Sequence, residues 1–164
     1  MRVLDVGCGN NKTHGAIGID ISCNSQCDAI CDLNNSLYPF KDSVFDAVIC
    51  KQVIEHLPDS SAFLKELYRL VKSGGRVIIQ TPHFSCYLAH ADYQHCHTFS
   101  VFFLDKLAER IGFKITKREI TFHRNYRRYK INWWANKFPL AYERFWTYIF
   151  PAEHMYFELE VIKA

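Results

Sequence analysis

Residues 3–20 read VLDVGCGNNKTHGAIGID, two apolar runs joined by a glycine turn. RVLDV (2–6) and AIGIDI (16–21) are short and apolar, and both read as strands. Ten residues separate Gly9 from Asp20, and several of them belong to the second strand, so no full helix fits between. A glycine turn at the carboxyl end of such a strand lets backbone come close to a ligand. A dinucleotide fingerprint needs a third glycine opening a helix whose N-terminus faces the pyrophosphate, and both are missing here. GCGNNKT is not a phosphate loop either, since Asn11 stands where glycine should precede Lys-Thr and the spacing is one residue short. The pattern points instead to a nucleoside ligand without phosphates.

Outward from this stretch the chain alternates strands with helices. DAIC (28–31), VFDAVIC (44–50), RVIIQTP (76–82), FKITKREITF (113–122) and YFELEVIK (156–163) read as further strands. The run LPDSSAFLKELYRLVKSGG predicts a helix started by Pro58 and Asp59 or Ser60. Its buried stripe is Phe63, Leu64, Leu67, Leu70 and Val71, and Gly74 with Gly75 stops it. Ser100 is placed to cap a second helix through Leu104, Leu107, Ala108 and Ile111, closed by Gly112. This alternation implies an α/β domain with a mainly parallel sheet.

Composition agrees with one domain over 1–164, long enough to bury a single core. The net charge of +3 implies no partner by itself, but it is unevenly placed: residues 114–137 hold eight Lys/Arg against one acid, residues 1–113 ten against twelve. Seven cysteines, an odd number, without a basic-then-apolar leader, fit a reducing cytoplasm better than a disulfide framework. No run reaches the ~18 apolar residues of a membrane span.

Three acids stand at successive strand ends. Asp5, two residues before Gly7, suits a cationic ligand and repels a phosphate. Asp20 is placed to accept from both ribose hydroxyls and Asp32 to meet an adenine edge. Taken singly, each is an ordinary turn former or helix cap.

Together these motifs resemble the class I S-adenosylmethionine-dependent methyltransferases. LDVGCGNNK looks like their first motif, IGIDIS their second, CDLNN their adenine-contacting third, FDAVICKQVIEHL their fourth and LVKSGGRVIIQTP their fifth, covering roughly residues 2 to 122 in order. The short first link and LYPFKDSVFD are most similar to a compact bacterial branch found among sugar and cell-envelope pathways. The resemblance implies a Rossmann-like seven-stranded sheet whose last strand is antiparallel, with S-adenosylmethionine as cofactor and S-adenosylhomocysteine as product. It implies cofactor contacts at Asp5, Gly7, Cys8, Gly9, Asp20, Ile21, Asp32, Leu33 and Lys51. Relatives carry helices before the first strand that cover the substrate. Here that strand starts at residue 2, so the lid is expected to come from residues 123–154, and the short links 7–15 and 22–27 are expected to leave reduced helices on one face.

Methyl transfer from a sulfonium needs alignment and, for a hydroxyl or amine acceptor, a base. Glu55 and His56 follow the fourth strand, and His83, His90, His95 and His97 the fifth. DYQHCHTF resembles a loop of the compact branch, matching at Asp92, His95 and Phe99, so His56 and His95 are the expected acceptor-facing residues. The plainer reading of His56 is a loop residue held by hydrogen bonds. Small-RNA 3′-end and ubiquinone-pathway methyltransferases hold a metal with a Glu-His pair and a later histidine. Glu55, His56 and either His95 or His97 match those positions, while Gln52 replaces the extra acid of the RNA enzymes.

Cys23, Cys27 and Cys31 read as small buried hydrophobes rather than cluster ligands. Residues 123–154 set Trp133, Trp134, Phe138, Tyr142, Phe145, Trp146 and Phe150 among Arg124, Arg127, Arg128, Lys130 and Lys137. They read as a helical pair packed on the sheet, as an interfacial segment on anionic lipid, or as a stacking surface for single-stranded nucleic acid. The expected acceptor is a hydroxyl or amine of a small molecule, sugar or lipid-linked intermediate. RNA methylation and a non-catalytic cofactor-binding subunit are the competing readings. Links of 7–15 and 22–27 are too short for full helices and leave one sheet face thinly covered, where a homodimer contact is expected.

Overall fold

The computed structural model describes residues 1–35, 37–127 and 130–163; Arg128 of the basic segment and the side chain of Arg127 lie outside the described residues. The strands are β1 (Val3–Val6), β2 (Ile17–Asp20), β3 (Ala29–Ile30), β4 (Phe45–Lys51), β5 (Val71–Pro82), β6 (Phe113–Thr121) and β7 (His154–Val161). They form one sheet in the order β3-β2-β1-β4-β5-β7-β6. β1 to β5 pair in parallel, and β7 runs antiparallel to both β5 and β6. The expected seven-stranded α/β fold with an antiparallel last strand is therefore present.

Helices α1 (Ser60–Leu70) and α3 (Val101–Ile111), with the short α2 (Leu88–Ala91) between them in the chain, cover one face: α1 packs on β5, α3 on β6, and the two on each other. Their starts follow the expected capping: Asp59 accepts from the Ala62 amide and Ser100 from that of Phe103. Beneath them Leu4, Val48, Val77 and Leu159 lie in register across four strands, all buried. Each such aliphatic side chain contributes about 1.5–3 kcal/mol of burial.

One expectation needs correcting. The first helix ends at Leu70 rather than at the glycines, and Val71 opens β5 opposite Phe45. The cause is non-local: the Ser43 and Val44 amides take the carbonyls of Arg69 and Leu70, and Lys163 Nζ binds those of Arg69 and Val71. The helix exit is thus capped by chain arriving from elsewhere.

The face opposite α1 and α3 is polar across β4, β5, β7 and β6. Lys51, Gln80, Tyr156 and Glu119 lie in register there, half-buried or exposed. Arg76 faces Glu158, Lys114 faces Glu160, and Lys117 sits 4.8 Å over the Tyr156 ring. Over these four strands the face is polar and internally paired, while Ile17 of β2 and Ile30 of β3 are exposed at the other end of the sheet.

Residues 123–154 form α4 (Arg124–Arg127), α5 (Ile131–Lys137) and α6 (Pro139–Phe145). They are fastened to the sheet rather than draped over it. The Asn136 amide accepts from the Ile120 N–H at 2.7 Å and donates to the Ile120 carbonyl at 2.8 Å. It thereby satisfies the edge strand β6 as a further strand would. Tyr142 is fully buried and donates to the Phe150 carbonyl.

Candidate active site

The glycine turn is locked across the first two strands. The Gly7 and Cys8 amides donate to the Ile19 carbonyl at 2.8 and 3.2 Å. Gly7 has φ +62°, and a Cβ there would sit 2.4 Å from Val53 Cγ2, so both conformation and space require glycine. The Gly9 amide reaches Asp20 Oδ2 at 2.8 Å and the Ser22 amide Oδ1 at 2.9 Å, which fixes that carboxylate at the end of β2.

Lys12, the lysine of the false phosphate loop, is drawn away from the turn. Its stem crosses Gly18, where a Cβ would lie 2.6 Å from Cδ, and its ammonium binds both oxygens of Asp28 at 2.9 and 3.0 Å. That bond holds Asp28 below the usual carboxylate range. Buried Asp5 accepts from the Thr13 amide at 2.7 Å and so pins the same loop.

A cavity of about 610 Å³ opens at the ends of β1, β2 and β4 and beyond β3. Six predicted residues line it: Gly7, Asp20, Ile21, Asp32, Leu33 and His56. Asp32 Oδ1 accepts from the Asn34 backbone and side-chain amides at 2.9 Å. Asp5, Cys8, Gly9, Lys51 and His95 are not in the lining. Asp5 and Gly9 shape the turn from behind it, and the Cys8 thiol is packed inside and pushed up by burial, then by Asp20 and Asp5. Lys51 is exposed at the end of β4.

Sequence reasoning gave no cavity role to Gln52, Gln94 or Asn34, which also line it. Gln52 follows β4 with φ +54°, a costly conformation for a non-glycine residue, held by its amide on the Gln80 carbonyl. No sequence signal marks a glutamine for that region.

The loop after β5 folds back onto the 3-10 turn Ile54–His56. Cys96 and His97 amides both donate to the Glu55 carbonyl, at 2.8 and 3.2 Å. Glu55, His56 and His95 converge as a result, with one ligand atom from each within 4.8 Å of the others. His95 Nδ1 lies 3.2 Å from the Ala89 carbonyl. A carbonyl only accepts, so Nδ1 carries a proton, while Nε2 lies 4.0 Å from Asp92 Oδ2.

Glu55 is 1% exposed. Its Oε2 accepts from Thr81 at 2.9 Å, while buried Oε1 has no partner among the described residues. Burial pushes this carboxyl above its ordinary value, against the pull of Thr81 and the two histidines. An orphaned carboxylate oxygen beside two imidazoles is a donor set that fits a divalent cation.

The other histidines are committed elsewhere. His97 donates to the Pro58 carbonyl and His90 to that of Phe84. His83 is fully buried between Ser85 Oγ at 2.8 Å and Glu143 of α6 at 3.3 Å. Glu143 also accepts the Val101 amide at the start of α3, so His83 ties the aromatic segment to the sheet. Of the cysteine run, Cys31 is buried, but Cys23 is exposed on the loop after β2.

Residues 123–154 reach a second cavity of about 390 Å³, where Asn125, Tyr126 and Pro151 face Cys86, Tyr87 and His90. The expected tryptophan roof does not line either cavity. Trp134 instead meets Trp146 edge to face at 5.6 Å, and Trp133 is exposed.

Residues 1–118 match a protein family described as a methyltransferase domain. The chain belongs to that family. It is 29% identical over 101 residues to a ubiquinone biosynthesis O-methyltransferase of Idiomarina loihiensis, covering 49% of this chain and 42% of the relative. It is 27% identical over 124 residues to phosphoethanolamine N-methyltransferase 3 of Arabidopsis thaliana, covering 56% and 25%. The chain thus spans less than half the length of these curated relatives. Among solved structures, an S-adenosylmethionine-dependent methyltransferase of Archaeoglobus fulgidus matches with TM-score 0.69 at 21% identity, over 97% of this chain and 85% of that one. Haemonchus contortus phosphoethanolamine N-methyltransferase 2, solved with S-adenosyl-L-methionine, matches with TM-score 0.69 at 20% identity, over 99% and 49%. At such identities the likeness establishes the fold.

Proposed function

We propose that this chain binds S-adenosylmethionine in the 610 Å³ cavity and transfers its methyl group to a hydroxyl or amine of a small-molecule, sugar or lipid-linked acceptor. The observation that carries the reading is the convergence of Gly7, Asp20, Asp32 and His56 on one cavity. Asp20 keeps lone pairs for two ribose hydroxyls after accepting one amide on each oxygen. Asp32 accepts from the adenine edge, and the glycine turn admits the amino-acid end. Relatives named as O- and N-methyltransferases support this acceptor chemistry.

In the reaction the acceptor oxygen or nitrogen forms a bond to the methyl carbon as the carbon–sulfur bond breaks. The sulfonium leaves as the neutral thioether of S-adenosylhomocysteine, and the acceptor proton passes to a ring nitrogen of His56. The donor is already activated, so the protein's work is alignment, exclusion of water and that proton transfer. Seven free cysteines suit action in a reducing cytoplasm.

The orphaned Glu55 Oε1 favours a second reading of the same site, in which Glu55, His56 and His95 hold a divalent cation. Bound there, the cation would act as a Lewis acid toward the acceptor hydroxyl.

Calorimetric titration with S-adenosylmethionine and S-adenosylhomocysteine tests the cofactor site. Asp20→Ala is expected to weaken binding by about 1–3 kcal/mol, the loss of hydrogen bonds to a charged acceptor. Unchanged affinity overturns the assignment. Binding without transfer of labelled methyl to any acceptor favours the non-catalytic subunit.

A further inference from the structure

The surface of α5 and α6 is divided by chemistry. Inward, Ala135, Tyr142 and Thr147 are fully buried, Asn136 holds the edge of β6, and Glu143 holds His83 and Val101. Outward, Trp133, Phe138, Leu140, Phe145, Trp146, Tyr148 and Ile149 are all exposed, Tyr148 at 89%. Seven large apolar side chains on 17 consecutive residues exceed what an ordinary solvated surface carries. Bases stand among them. Lys137 Nζ lies 4.7 Å from the Trp133 ring centre and 5.5 Å from that of Phe138, and the Arg144 guanidinium 5.2 Å from that of Phe145.

Between 123 and 152 there are six Lys/Arg and one acid, Glu143, which is turned inward. The exposed side chains of α5 and α6 are thus cationic or apolar, with Glu119 of β6 beside Trp133 and Lys137 and Glu143 beside Arg144. No described helix is long and apolar enough to cross a membrane. Aromatic rings with a polar tip, flanked by cations, match the boundary between anionic headgroups and acyl chains.

We propose that α5, α6 and the turn after them dock on an anionic lipid bilayer, lying in its interface. Trp133, Leu140, Phe145 and Ile149 supply the inserted apolar area, and Lys130, Lys137 and Arg144 the attraction to headgroups. The second cavity, lined by Asn125 and Tyr126 ahead of α5 and by Pro151 beyond α6, would then hold an acceptor drawn from the membrane. Only this last step rests on the methyl-transfer reading; vesicle binding is read without turnover.

The test is co-sedimentation of the full chain with vesicles of phosphatidylcholine alone and of phosphatidylcholine mixed with phosphatidylglycerol. The proposal expects binding to the mixed vesicles, weakened by salt, and little to phosphatidylcholine alone. Lys137→Glu with Arg144→Glu is expected to lower partitioning by roughly tenfold or more. Trp133→Ser with Phe145→Ser is expected to do the same, with far-ultraviolet dichroism and melting unchanged because these side chains are exposed. Absence of binding to the mixed vesicles overturns the proposal, as does equal binding by both double variants. So does a dimer in lipid-free buffer that the serine variant abolishes, since the face would then belong to a second copy.

Discussion

The rings of His56 and His95 meet edge to face with 4.6 Å between centroids, bringing a residue of the turn after β4 against one from the loop after β5. Only His56 lines the cavity, whereas His95 lies outside the lining with Nδ1 on the Ala89 carbonyl. The two positions predict different losses. His56→Ala is expected to lower kcat by about 10²-fold or more while S-adenosylmethionine affinity stays unchanged, the effect of removing a base. His95→Ala is expected to act less, through the orientation of His56. Wild-type turnover in both variants would sink histidine catalysis.

Glu55 predicts an unusual pH dependence. Its folded pKa is raised above the ordinary 4.5 by burial, so between 4.5 and the folded value the folded chain holds a proton that the unfolded chain has released. Stability from this group is therefore present at acid pH and lost as pH rises through that window, the reverse of a salt-bridged carboxylate. Glu55→Gln is expected to flatten the fall in melting temperature on going from pH 4.5 toward neutrality. A divalent cation at Glu55, His56 and His95 requires the ionised carboxylate, so its addition is expected to release a proton, measurable as buffer-dependent heat. No heat and no change in melting with Zn²⁺ or Mn²⁺ would refute the metal reading.

Gly7→Ala tests whether the turn is built as described. A Cβ meets Val53 Cγ2 at 2.4 Å and the backbone must hold φ +62°, so the variant is expected to lose about 1–3 kcal/mol of stability. Urea unfolding reads this directly. Because Val53 and Gly7 both line the cavity, cofactor affinity is expected to fall as well. A variant as stable as the parent would show that Val53 moves freely.

The strands around the glycine turn were legible because their signals are local, short β-branched runs ended by glycine or aspartate. Asp20 and Asp32 were legible for the same reason, since a strand end fixes where its next side chain lies. The exit of α1 was not, because its cap comes from Ser43, Val44 and Lys163, distant in sequence. The histidines show the same boundary. The motif resemblance singled out His56 and His95, but only tertiary partners show where each histidine goes: Glu143 and Ser85 bury His83, Pro58 holds His97, and the Ala89 carbonyl aims His95. The polar pairing across β4 to β7 was not legible either, because loop lengths show where helices are missing, not what replaces them.

Asn136 carries the last prediction. Its amide closes the free edge of β6 at Ile120 and also donates to the Asn132 carbonyl at 2.7 Å, so one side chain fastens α5 to the strand and to its own preceding turn. Asn136→Ala leaves the buried Ile120 with an unpaired amide and carbonyl. The cost is expected to be about 1–3 kcal/mol, that of buried polar groups left unsatisfied. Asn136→Asp keeps the acceptor for the Ile120 N–H but sets a carboxylate against the Ile120 and Asn132 carbonyls, so it is expected to be no better than alanine at neutral pH and to recover as the acid protonates. Urea titrations at pH 4 and about pH 7 distinguish the two, since protonation restores one donor and the facing carbonyls favour the protonated acid. The exposed edge also predicts faster aggregation on heating for both variants. If Asn136→Ala unfolds at the parental urea concentration, α5 is held by its aromatic packing alone, and Trp134 against Trp146 becomes the next contact to remove.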